Sequence, residues 1–138
     1  MRSLIAIEER ITELGSSADC QGAAAELVIL GEEVLEHWLI AKGNKPTTEL
    51  QEGFRLLALH RQGAKGDTTF NACRETCREL IYHYNLVTSK ADDPETPQRT
   101  VMMMMVAKHL CLFVSGKMET QALGDFCCSS KPLHVEPH

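Results

Sequence analysis

Apolar residues recur along this chain at intervals of three and four, the period of a helix that buries one face. In the first segment, about residues 3 to 14, Leu4, Ile7, Ile11 and Leu14 form such a stripe, and Glu8, Glu9 and Glu13 fall elsewhere. A second segment, about 17 to 42, aligns Cys20, Ala24, Leu27, Gly31, Leu35 and Trp38, broadened by Leu30 and Val34. A third, about 48 to 62, offers Leu50, Phe54 and Leu57. The fourth, about 68 to 89, runs through Phe70, Cys73, Cys77, Leu80, Tyr84 and Val87. The fifth, about 97 to 118, is apolar on every side from Val101 to Ala107, as expected of a central helix or of one with a face covered by another chain.

Punctuation supports these divisions. Gly15, Gly43 and Gly63 each follow a periodic stretch where a helix would end in left-handed geometry. Ser16 with Asp19 and Thr48 with Gln51 have capping-box spacing, Asp67 can cap the fourth helix, and Pro97 suits a first helical position. Short links favour antiparallel neighbours, with a longer connection from about Ser89 to Glu95. The expectation is an all-α fold, an up-down bundle of four long helices preceded by a shorter N-terminal helix. Residues 1–123 form its single domain, and 124–138 form a flexible tail with Cys127, Cys128, His134 and His138 among Ser and Pro.

Charge narrows the function classes. The net charge of −5 opposes a general role in binding nucleic acid, and the densest basic stretch, Arg55 to Lys65, is interrupted by Leu56, Leu57 and Leu59. Glu8, Glu9 and Arg10 stand where a signal peptide needs an apolar run. The longest apolar run ends at Lys108 and His109, short of the roughly 18 to 20 residues that span a bilayer. A soluble, cytoplasmic protein is expected, in which the 6 cysteines are thiols or metal ligands.

No Gly-rich phosphate loop, Ser-centred nucleophile motif, C-x-x-C pair or H-E-x-x-H is present, so any site must be assembled between helices. Strict alternation of helix direction would bring the start of the second helix to the end of the third, the start of the fourth and the end of the fifth. That end would collect Cys20, His60, Cys73, Cys77, His109 and Cys111. Cys73 and Cys77, one turn apart, would face the same way. With His60 they make three ligands for zinc, copper or iron, including an iron–sulfur centre, and Cys20 could be the fourth. The competing expectation is that both thiols simply pack in the core and no cofactor is bound.

Glu33 with His37 and Glu79 with His83 form a second constellation, spaced four apart rather than the three of carboxylate-bridged dimetal bundles. Ordinary helix-surface pairs have the same spacing. Met102 to Met105 point around the helix and cannot form one ligand face, which favours packing or a dimer seam. The leading expectation is a small metal-binding protein using Cys and His, such as a sensor, carrier or assembly factor. The alternatives are a metal-free homodimer that engages a protein partner and, last, a His/carboxylate enzyme.

Overall fold

A computed structural model of the chain describes residues 1–121 and is all-α. Its elements are α1 (Leu4–Leu14), α2 (Cys20–Ala41), α3 (Arg55–Ala64), a 3₁₀ helix (Thr68–Cys73), α4 (Arg74–Ser89) and α5 (Thr96–Thr120). Side-chain caps fix several starts: Ser3 accepts from the Ala6 amide, Asp19 from Gly22 and Asp67 from Thr69. Gly43, at φ +82°, follows the end of α2 as expected of a stop. The expected tail with Cys127, Cys128, His134 and His138 lies outside the described residues.

Between α2 and α3 the chain departs from the expected pattern. Residues 48–54 are not helical. Gln51 and Phe54 exchange both backbone hydrogen bonds at 3.0 Å around Glu52 (φ 55°) and Gly53 (φ 86°). Two successive positive φ angles make a tight turn and cannot continue a right-handed helix. Thr48 and Gln51 therefore form no capping box, and Leu50, expected in the core, is 65% exposed. Gly63 is not a stop either, because it sits within α3 where an added Cβ would lie 2.8 Å from Phe70 Cε2. Gly66, at φ +90°, makes the turn instead.

Close contacts give the helix directions. Gly31 of α2 presents a bare backbone to Leu56 of α3, Leu80 of α4 and Leu110 of α5. One end away, Trp38 of α2 meets Gly63 of α3, Phe70 and Lys117 of α5. Hence α3 and α5 run in the same sense as α2, and α4 runs against them. This corrects the strictly alternating order. Residues 42–54 return the chain so that α3 lies alongside α2, and polar contacts hold them there. Gln62 accepts from the Thr47 amide (2.8 Å) and donates to the Lys45 carbonyl (2.9 Å), and Arg55 reaches Glu36 at 2.6 Å.

α1 lies antiparallel to α2, tied by Arg2 to Glu33 (3.0 Å) and Arg10 to Glu26 (2.6 Å). Its end touches Met104 of α5 at Gly15. α5 packs on α1, α2 and α4 through Met103, Val106, Ala107, Leu110 and Val114. By length and composition α5 could cross a bilayer, with a mean hydropathy of 1.4 over its most apolar stretch, of which 39% is buried within the fold.

Candidate thiol site at the start of α4

The site begins with a pinned turn. Asp67 caps the 3₁₀ helix, and Lys117 of α5 donates to Thr69 Oγ1 at 2.6 Å and pairs with Asp67 at 3.5 Å. Phe70 is thereby driven inward, fully buried, and stacks on Trp38 with ring centroids 4.9 Å apart. Its other neighbour is His60 of α3, stacked at 5.4 Å. Lys42 and Lys117 each stand 5.2 Å from the Trp38 ring, as cations over a π face do.

His60 is 5% exposed, and its Nε2 lies 3.0 Å from the Phe70 carbonyl oxygen. Because a carbonyl only accepts, Nε2 carries the proton there, which leaves Nδ1 as a lone pair in the neutral ring. Cys73, as a thiol, donates to the same carbonyl over 3.2 Å. It is the residue that precedes α4, where the uncapped helix end favours negative charge. Cys77 follows one turn later and is completely buried.

The two sulfurs share protons. A hydrogen bond from the Cys77 thiol lowers the Cys73 pKa below the ordinary thiol value, with help from His60, although burial opposes it. The same bond and burial push Cys77 well above that value. The pair thus loses its first proton early and its second very late. Two side chains at i and i+4 have Cβ atoms about 5 to 6 Å apart, whereas an unstrained disulfide needs about 3.5 to 4.5 Å. One helical turn therefore suits joint ligation of an ion better than a covalent bridge.

A scan of protein families, curated proteins and solved structures found no match to this chain.

The structure brings together His60, Cys73 and Cys77. It does not bring Cys20 to them. Cys20 opens α2, and Trp38, which marks the level of the site, lies about 27 Å further along at roughly 1.5 Å of rise per residue. The direction of α3 is responsible, since it places the far end of α2 against the site. Cys111 turns toward α1, 3.7 Å from the Leu4 carbonyl, and burial pushes its thiol up to about 11. Among the described residues, no group of three or more His, Cys, Asp or Glu side chains stands ready-made around a metal position. Ligation by His60 would use Nδ1, or would turn the ring from Phe70.

The Glu/His pairs are separated. Glu33 binds Arg2, and His37 Nε2 lies 2.7 Å from the Arg2 carbonyl, so both hold the N-terminal segment. Glu79 lies 3.7 Å from His83 on α4. Gly31 is level with Leu80, and α4 runs against α2, so His37 and His83 fall on opposite sides of that level. Sequence reasoning missed the Phe70 stack and the Lys117 clamp as supports of the site. Asp67 was visible as a cap, but its partner on α5 was not.

Proposed function

We propose that this is a small helical protein whose Cys73, Cys77 and His60 bind a thiophilic transition metal, as a sensor, carrier or assembly factor. α2, α3, α4 and α5 form the four walls of the bundle, with α4 reversed relative to the others. The observation that carries the reading is the pair of sulfurs one turn apart, next to a buried histidine that hydrogen-bonds to Cys73 and whose Nε2 lies 3.0 Å from the Phe70 carbonyl oxygen. Two thiolates and an imidazole suit zinc, copper or iron, including an iron–sulfur centre.

Metal analysis of freshly purified, untagged protein tests this. A stoichiometric thiophilic metal that is lost in Cys77→Ser supports the reading, and a chelator should then lower the melting temperature. Metal-free protein that melts identically with and without chelator, and that takes up none on reconstitution, leaves the thiols as core residues.

A second reading, a homodimeric interaction protein, is favoured by one observation. Met102, Met105 and Leu112 of α5 are 40%, 56% and 52% exposed and share a helical face. A second copy of this chain is the occupant proposed for that face, and the oligomeric state in solution tests it.

A further inference from the structure

In a chain of net charge −5, three arginines converge on one cavity of about 270 Å³. Its polar wall comprises Gln51, His60, Arg61, Asn71, Arg74 and Arg78. The tight turn at Glu52 and Gly53 delivers Gln51, α3 delivers His60 and Arg61, and α4 opens with Arg74. Only Arg78 is neutralised, through Glu52 at 2.8 Å. Among the described residues, neither Arg61 nor Arg74 has a carboxylate at ion-pair distance, although Glu52 is near enough to feel the Arg74 charge.

We infer that the cavity binds a small, multiply charged oxyanion, such as a polycarboxylate. Guanidinium forks match carboxylate and phosphate oxygens two at a time, and a fixed cluster of them holds a multivalent anion far better than a monovalent one. The volume lies just below the range typical of drug-sized ligands, which sets the scale of the anion. The inference does not rest on what the neighbouring thiols hold.

Calorimetric titration at fixed ionic strength tests it with two probes, citrate and acetate, which differ in the number of carboxylates, and with inorganic pyrophosphate as a phosphate arm. The expected result is saturable one-to-one binding of citrate, at least about tenfold stronger than that of acetate. Binding should weaken about tenfold or more in Arg61→Gln and in Arg74→Gln, since each removes a charge-assisted contact. Lys90→Gln, at the far end of α4, should bind as the wild type does. Tighter binding of pyrophosphate than of citrate, lost in the same two variants, would support the oxyanion pocket and assign it to phosphate. Non-saturable heats with every probe, or an equal loss in Lys90→Gln, would overturn the inference in favour of diffuse surface charge.

Discussion

At the scale of residues, the central event is proton sharing between Cys73 and Cys77. The first proton leaves the pair below the ordinary thiol value, so the folded state holds it less tightly than the unfolded chain does. Its contribution to stability is therefore present above the unfolded pKa, and is lost as pH falls through the folded one. The raised Cys77 acts in the opposite sense, favouring the folded state while that thiol stays protonated and weakening it at strongly alkaline pH. An ultraviolet titration of thiolate absorbance should show one equivalent appearing below the ordinary thiol value and vanishing in Cys73→Ser. Thiols that all titrate at or above that value would refute the arrangement. A neighbouring glycine offers a packing test. A Cβ at Gly63 would meet Phe70 at 2.8 Å and Trp38 at 3.2 Å. Gly63→Ala should cost about 1 to 3 kcal/mol in chemical denaturation, the usual penalty for overpacking a core, and an unchanged midpoint would contradict the close approach.

At the scale of elements, the stripes of α1, α2 and α4 were legible because burial on one helical face leaves a period of three to four in the sequence, whereas α5 was legible as a run apolar on every side. The start of α3 was not, because Leu50 and Phe54 continue that period by chance across a turn set by Glu52 and Gly53. Gly53→Ala should destabilise by about 1 to 2 kcal/mol, since left-handed backbone disfavours a Cβ. Equal stability would argue against the turn. Gly63 shows a second limit, because a glycine required for close helix contact looks in sequence like a glycine that ends a helix. On α5, Met103 is buried while Met102 and Met105 face outward, a division that the methionine run alone could not reveal. If that outward face joins two copies, Met105→Glu should convert a dimer to a monomer in light scattering; a wild-type monomer would exclude the seam.

At the scale of the whole molecule, the sense of α3 decides which residues meet. The pairing of His60 with Cys73 and Cys77 was readable, because a helical turn and a short link between α3 and α4 determine it locally. The exclusion of Cys20 was not, because it depends on residues 42–54 carrying the chain back to lay α3 along α2. The arginine cavity depends on the same return, which brings Gln51 opposite α4. Cobalt(II) titration of the reduced, metal-free protein addresses the thiol site most directly, because sulfur-to-cobalt charge-transfer absorption appears only when thiolates ligate the ion. The predicted result is absorption that saturates at one equivalent, weakens in His60→Ala and disappears in the Cys73→Ser/Cys77→Ser double variant. Absence of the absorption in the wild type, or its full retention in the double variant, would contradict a metal site at the start of α4.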